Sequence, residues 1–277
     1  MVIRYKFGLI GATDSHTSLV TAEEENFFGK NSTDEPQEKR AGVQLKKVGE
    51  GRLMNWQTSA SGLTAVWAHE NTRASIFDAM KRKEVYATTG PRISLRFFGG
   101  WDYQRSDLNN RPIENVGYSK GTPMGGDLPP RPEAAQAPSF MIAALRDSMG
   151  ANLDRIQVVK GWLDEKDGSS HEKIYNVAWS DGREIRKDGT LPSVGNTVNV
   201  SEATWANSIG EPELTTVWQD PDFKASQKSF YYVRVLEIPT PRWTTYDAKR
   251  FGTEIPEGAP ETIQERAYSS PIWYQPL

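Results

Sequence analysis

The chain contains one short motif whose residue types and spacing suit metal chemistry, Asp14-Ser15-His16. A carboxylate oxygen and a neutral imidazole nitrogen are ligands that zinc, manganese and iron accept. The motif follows a largely apolar run, residues 5–12, which predicts a short buried strand of a parallel sheet. Such a strand would place Asp14 and His16 together at its carboxyl end. The alternative is that Asp14 caps a turn and His16 is an ordinary surface residue, since two ligands alone do not close a metal site.

A second group of polar residues, His69 and Glu70, precedes a predicted helix. His69 could add a metal ligand, and Glu70 could act as a catalytic base. The structural alternative is that Glu70 is an acid near the first turn, where negative charge is favoured by the helix dipole. Both interpretations stay open, and Glu70 is retained as a candidate catalytic residue.

Arg92 is the second candidate catalytic residue, and it follows the strand-breaking pair Gly90-Pro91. Its guanidinium could bind an anionic group through two parallel hydrogen bonds. The alternative is that Arg92 is the outward residue of an alternating strand. The acidic run at residues 23–25 is typical of a solvated helix face, although it could also border a metal site.

The composition excludes several classes of site. The chain has 277 residues and no cysteine, which excludes disulfides, thiolate metal sites and cysteine nucleophiles. It has only three histidines, so any histidine-based metal site must be sparse. A net charge of −3 lacks the basic field expected of a nucleic-acid binder, and no apolar run approaches the roughly 20 residues of a membrane helix. We therefore expect neither nucleic acid nor membrane as a partner, while the compartment stays open.

The elements that position these candidates are a helix and two strands. Residues 71–83 predict a helix that begins at Asn71 or Thr72 as the N-cap and ends in a basic triplet. Its predicted inward stripe consists of Ile76, Phe77 and Met80. Residues 85–89 are prone to form a strand, and residues 92–97 alternate strictly. The inward side chains of the second strand would be Ile93, Leu95 and Phe97.

Beyond residue 98 the sequence changes to short β-prone runs separated by turn residues, which favours an all-β sandwich. The predicted strands cover residues 140–145, 154–160, 173–179, 213–218, 230–238 and 271–274. Much of residues 17–62 and parts of residues 239–268 are predicted to be loops. The fold class is therefore mixed α/β, with one domain at residues 1–98 and a β-rich domain at residues 99–277.

Residues 11–17 resemble the last metal-binding motif of the polymerase-and-histidinol-phosphatase (PHP) superfamily. Residues 76–93 are similar to the segment after that motif in PHP-like hydrolases, namely a helix, then Tyr-Ala-Thr-Thr-Gly, then Arg-Ile. Four further segments look more specifically like the bacterial domain-of-unknown-function family DUF3604. These segments are residues 21–30, 122–128, 230–237 and 269–274. The resemblance covers nearly the whole chain.

The PHP resemblance implies a distorted β/α barrel with up to three metal ions, which begins with an H-x-H motif on its first strand. This chain has no H-x-H, and only Asp14 and His16 carry over as ligands. The resemblance therefore implies the C-terminal half of such a protein, namely the last barrel strand and helix and then a β-rich domain. The remaining ligands would come from a missing N-terminal half or a partner chain.

The same resemblance implies a function. Divalent zinc, manganese or iron would lower the pKa of a bridging water, which would attack a phosphoester or a related ester. Arg92 would neutralise the anionic small-molecule substrate. A different class of function is also open, in which the chain is a non-catalytic β-sandwich accessory or binding module.

Overall fold

The computed structural model describes residues 5–19, 23–110, 112–164 and 166–276. Within these residues the chain forms mostly antiparallel sheets with three α-helices. The helices are α1 (Arg73–Arg82), α2 (Ile113–Lys120) and α3 (Trp243–Phe251). The strands are β1 (Gln44–Val48), β2 (Gly51–Met54), β3 (Leu63–Val66), β4 (Val85–Thr88), β5 (Ser94–Gly100), β6 (Gly121–Pro123), β7 (Ser139–Leu145), β8 (Leu153–Leu163), β9 (Ser170–Trp179), β10 (Glu213–Gln219), β11 (Ser229–Glu237), β12 (Thr240–Pro241), β13 (Thr262–Ile263), β14 (Arg266–Ser269) and β15 (Ile272–Tyr274).

Two large sheets share one hydrophobic core. The first has the order β3-β4-β14-β11-β8-β9, with β15 also paired to β11, and the second has the order β10-β7-β5-β6. Alternate residues of each strand point into the shared core, as the two-residue period of a strand requires. Examples are Phe140 and Ile142 of β7 and Tyr231, Val233 and Val235 of β11. The prediction of a mixed fold dominated by β-structure is confirmed.

The second sheet is buried on both faces. Phe98 of β5 and Met141 of β7 point away from the shared core, into a smaller cluster with Tyr103 and Ile113. Ile113 begins α2, which contacts β5 and β6. This covering explains why β7 reads as a continuous apolar run that is difficult to divide into inner and outer faces.

Most of the predicted strands are confirmed, including the alternating strand β5, in which Leu95 and Phe97 are buried. Ile93, just before β5, is buried as well. The helix α1 is also confirmed, and the Thr72 hydroxyl accepts a hydrogen bond from the Ser75 backbone N–H, as an N-cap does. The predicted stripe on this helix is wrong for two of its three residues, since only Ile76 is partly buried. Phe77 is 63% exposed and Met80 is 46% exposed, because the small residue Ala79 makes the buried contact of α1.

The predicted buried strand at residues 5–12 is wrong within the described residues. This segment is extended but joins no sheet, and Tyr5 is 83% exposed. Its backbone bonds to side-chain hydroxyls instead of a neighbouring strand. The Leu9 N–H donates to Ser270 Oγ over 2.9 Å, and the Gly11 N–H donates to Thr64 Oγ1 over 3.2 Å. We call residues 5–16 the opening segment.

The described residues form no barrel. The neighbours of β4 are β3 and β14, and both pair with it in the antiparallel direction, whereas the wall of a β/α barrel is built from parallel strands. The strand β5 spans the predicted domain boundary at residues 98 and 99, and that boundary stays a prediction. No helix in the described ranges has the length and apolar character needed to cross a membrane.

The prediction of loops in residues 239–268 is wrong where α3 lies. Trp243 begins this helix and is completely buried, packed against Phe27 with ring centroids 5.2 Å apart. The hydrophobic contact comes from a residue more than 200 positions away in sequence, so local periodicity could not reveal it. Likewise, β1 and β2 form a hairpin inside the predicted loop at residues 17–62.

Candidate functional site

The opening segment ends in a tip that carries Asp14 and His16, and backbone contacts hold this tip in place. Gly11 lies so close to β3 that a Cβ atom there would fall 2.5 Å from the Leu63 carbonyl oxygen. Beyond it, the Asp14 backbone is left-handed with φ of 52°. The His16 N–H donates to the Lys30 carbonyl oxygen over 2.6 Å. The chain is therefore fixed on both sides of the motif.

The side chains of Asp14 and His16 are exposed and make no hydrogen bond to the described residues. The Lys30 ammonium group binds the Thr13 carbonyl oxygen and lies within electrostatic range of Asp14. Burial lowers the pKa of Lys30, while Asp14 and Glu24 partly offset that effect. The carboxylate and the imidazole of the motif are thus uncommitted, next to a positive charge.

The two residues do not make a complete metal site by themselves. Among the described residues, no group of three or more histidine and acidic side chains is placed to hold a metal ion. A catalytic zinc site ordinarily takes three protein ligands and keeps one position open. The donor types at the tip fit a divalent metal, but the number of donors does not.

Arg92 lies on the same side of the fold as the tip, in the turn between β4 and β5. Its side chain is exposed, and its backbone N–H donates to Asp147 Oδ2 over 2.7 Å. The neighbouring residue Pro91 and the same Asp147 line an adjacent cavity. The guanidinium of Arg92 is therefore free of described partners and stands near the rim of that cavity.

Glu70 lies at the other end of β3. It follows the Val66 end of the strand, whereas Gly11 of the opening segment contacts the Leu63 end, about 10 Å away along the strand. The Glu70 N–H donates to Ser75 Oγ over 3.2 Å, and its side chain is exposed. The structure does not bring Glu70 together with the motif, and the adjacent His69 lies with it.

The cavity beside Arg92 has a volume of about 90 Å³ and gave no clear signal in the sequence. We call it the acidic pocket, and the residues that matter for its chemistry are Glu24, Asp147, Trp205, Glu237, Tyr246 and Glu265. They come from six separate parts of the chain, including the end of β11 and the first turns of α3. The chain must therefore be folded for these side chains to meet.

Two carboxyl groups of the acidic pocket are buried: Glu237 is 0% exposed and Glu265 is 5% exposed. Glu265 accepts a hydrogen bond from the Thr89 hydroxyl. The partly buried Glu24 accepts a hydrogen bond from the Trp243 N–H over 2.6 Å. Neither carboxyl oxygen of Glu237 has a hydrogen-bond partner among the described residues. A buried polar group without a partner is costly, so this side chain requires a physical explanation.

Burial raises the pKa of these carboxyl groups. The pKa of Glu265 rises to about 8, mainly through burial and secondly through the charge of Glu24. The pKa of Glu237 rises well above its ordinary value through burial, and the charges of Glu265 and Asp147 act in the same direction. The Ala151 N–H acts in the opposite direction and lowers this pKa, although it does not meet hydrogen-bond geometry. Raised carboxyl pKa values in a cavity are typical of functional sites.

Part of this pocket left a weak signal in the sequence. Glu237 interrupts the apolar run Val235-Leu236-Glu237-Ile238, where a charged residue is unexpected. Glu24 gave no such signal, because it lies in an acidic run that resembles a solvated helix face. Glu265 precedes a short strand and reads as an ordinary surface residue.

A family model described as "Protein of unknown function (DUF3604)" matches residues 2–276. The match covers nearly the whole chain, as the sequence resemblance did. No curated protein and no solved structure matches the chain.

Proposed function

The chain belongs to the DUF3604 family, and on that premise we propose that it contributes Asp14 and His16 to the metal site of a hydrolase. The substrate class we propose is a phosphoester or a related anionic ester, and the metal is divalent zinc, manganese or iron. The kinship with PHP hydrolases is part of this proposal. It is supported by the motif at residues 11–17 and by the helix and strand that come after it.

One observation carries the proposal: a carboxylate and an imidazole are exposed, uncommitted and fixed by backbone contacts at one tip. A residue that only capped a turn would use its side chain in a local hydrogen bond. The Asp14 carboxylate makes no such bond to the described residues. The donor count then requires further ligands, which we assign to a partner chain or to a segment outside the described residues.

A role at the proposed metal site is better supported for Arg92 than for Glu70. Arg92 has an exposed guanidinium with no partner in the described part of the chain, on the side of the fold that carries the tip, which suits a role in binding the substrate anion. Glu70 stands at the opposite end of β3, so we do not assign it a role beside the metal.

The test is the metal content and ester hydrolysis of the protein purified from its own cells, where any partner accompanies it. Asp14→Ala and His16→Ala should each lose bound metal and hydrolysis of a generic phosphodiester. His171→Ala is the matched control, because His171 is exposed and stacks on Trp162 in the β8–β9 hairpin. If both tip variants keep the metal content and rate of the control, the proposal is wrong.

The second candidate function is a non-catalytic binding module. It is favoured by the limited donor set of the described residues and by the large β-rich core around which most of the chain folds. This candidate predicts that the purified protein carries no stoichiometric metal and hydrolyses no ester. The same experiment therefore separates the two functions.

A further inference from the structure

We infer that the acidic pocket binds a guanidinium-type organic cation, with the unpartnered carboxylate of Glu237 as its principal contact. The metal site proposed above and this pocket share no residues, so the two proposals are independent. Three features support the pocket's role: the missing partner of Glu237, the spacing of the other carboxyl groups and the walls of the cavity.

The cations near Glu237 do not neutralise it. Arg146 lies within electrostatic range, but its guanidinium donates to the Gly150 carbonyl oxygen over 2.8 Å. Arg242 lies within electrostatic range of Glu24 and Glu265, but it donates to the Thr58 carbonyl oxygen over 3.1 Å. No described cation forms an ion pair with the carboxyl groups of the pocket. A cation bound in the pocket would therefore supply the partner that the ionised forms of Glu237 and Glu265 lack.

The spacing of the carboxyl groups argues against a bare metal ion. Glu24, Glu237 and Glu265 line one cavity, and the charge of Glu265 interacts with each of the other two. Among the described residues, however, these acids do not form a group placed to hold a metal ion. A guanidinium group spreads five N–H donors over a plane and can contact separate carboxylates at once. An ammonium group concentrates its charge at one point and would satisfy fewer of these acids.

The remaining walls of the cavity suit a flat, weakly hydrated cation. Trp205 and Tyr246 line the acidic pocket together with Pro91 and Met149. Guanidinium groups stack on aromatic faces, and cations over such rings are stabilised by about 0.5–2 kcal/mol. A cavity of about 90 Å³ has room for a guanidinium head while its alkyl substituent points toward solvent. The aromatic side chains and the acids of the pocket together favour a guanidinium-type cation as the ligand.

The test is isothermal titration calorimetry of the folded chain with ethylguanidinium, compared with ethylammonium and Mn²⁺. The wild-type chain should bind ethylguanidinium saturably and more tightly than either comparison ligand. Glu237→Gln keeps the shape of the side chain, removes its charge and should weaken binding by about tenfold or more. Trp205→Leu should weaken binding by about threefold or more through the lost aromatic wall. The matched control is Glu50→Gln, at an exposed turn between β1 and β2, which should bind like the wild-type chain.

Thermal unfolding of each variant verifies that it is folded, and Trp205→Leu decides the question if Glu237→Gln does not fold. An absence of saturable binding by the wild-type chain would overturn the inference, because a bound proton or water would then satisfy Glu237. Unchanged binding by a folded Glu237→Gln would overturn it as well. Ethylammonium or Mn²⁺ binding as tightly as ethylguanidinium would contradict the assigned ligand class.

Discussion

The tip of the opening segment and the acidic pocket differ in the exposure of their polar side chains and in how far apart these residues lie in the sequence. At the tip, Asp14 and His16 are neighbours in sequence, their side chains are exposed and neither has a described hydrogen-bond partner. In the pocket, Glu237 and Glu265 come from distant parts of the chain and are buried in surroundings that raise their pKa values. Exposed polar side chains at the tip cost the folded state little free energy, whereas ionisation of the buried acids of the pocket is costly. Changes at the two regions should therefore affect stability very differently.

The largest effect is expected from the contacts that hold the pocket side of the molecule together. The buried Arg40 forms an ion pair with Asp247 of α3 and donates to the Phe27 carbonyl oxygen over 2.8 Å. Its guanidinium also lies 4.9 Å from the ring centre of Trp243. Arg40→Ala leaves Asp247 buried without its partner, so urea unfolding should show a loss of about 3–5 kcal/mol.

The control for this prediction is Lys249→Ala. Lys249 lies on α3, as Asp247 does, and its substitution removes an exposed ion pair with Glu202. It should lower the free energy of unfolding by less than about 1 kcal/mol. If both variants lose the same amount, the pocket side is not held by buried contacts and the comparison fails.

The second effect is a pH dependence of stability that arises from Glu265 in the pocket. The pKa of Glu265 is about 8 in the folded chain against an ordinary value of 4.5, so the folded state holds this proton more tightly. The groups that face Glu265 are Glu24, Thr89, Glu237, Arg242 and Arg266. Its contribution to stability is full below about pH 4.5 and is lost as the pH rises to about 8, with a slope of at most about 1.4 kcal/mol per pH unit.

Urea unfolding at about pH 5 and about pH 8 measures this contribution. Glu265→Gln should reduce the loss of stability between the two pH values, while Glu50→Gln should keep the wild-type loss. An unchanged pH dependence in Glu265→Gln would mean that this carboxyl group titrates normally, and the strained character of the pocket would be refuted.

The smallest effect on stability is expected at the tip. The double variant Asp14→Asn/His16→Gln removes exposed side chains that have no described hydrogen-bond partner, so the free energy of unfolding should change by less than about 0.5 kcal/mol. Differential scanning calorimetry is a suitable check. A much larger destabilisation would show that the two residues serve the fold, and it would place them in the same category as the acids of the pocket.

The sequence predicts the positions of helices and strands better than it predicts what those helices and strands pack against. Strict alternation located β5, and the cap at Thr72 located the start of α1, because both signals are local. The apolar run at residues 5–12 predicts a strand that the structure lacks, since periodicity cannot distinguish a strand in a sheet from a segment that lies across one. The exposure of Phe77 also depends on how closely Ala79 approaches the sheet, which helix periodicity does not encode.

The candidate functional residues also divide into those that are close in sequence and those that only the fold brings together. Asp14 and His16 were found because two potential ligands are adjacent in sequence. The acidic pocket was missed because its acids are brought together by the order of the strands, with Glu237 and Glu265 on segments that become neighbours only in the folded sheet. A lone Glu in the apolar run of β11 was the one local indication.

The most direct test of the central claim uses the three histidines of the chain, His16, His69 and His171. Their imidazole signals in a ¹H–¹⁵N NMR spectrum can be assigned with single variants and followed while Mn²⁺ is added. We predict that the His16 signals broaden first and that Asp14→Asn removes this preference. If His16 broadens no earlier than His69 and His171, or if its broadening is unaffected by Asp14→Asn, the two residues do not bind a common metal ion.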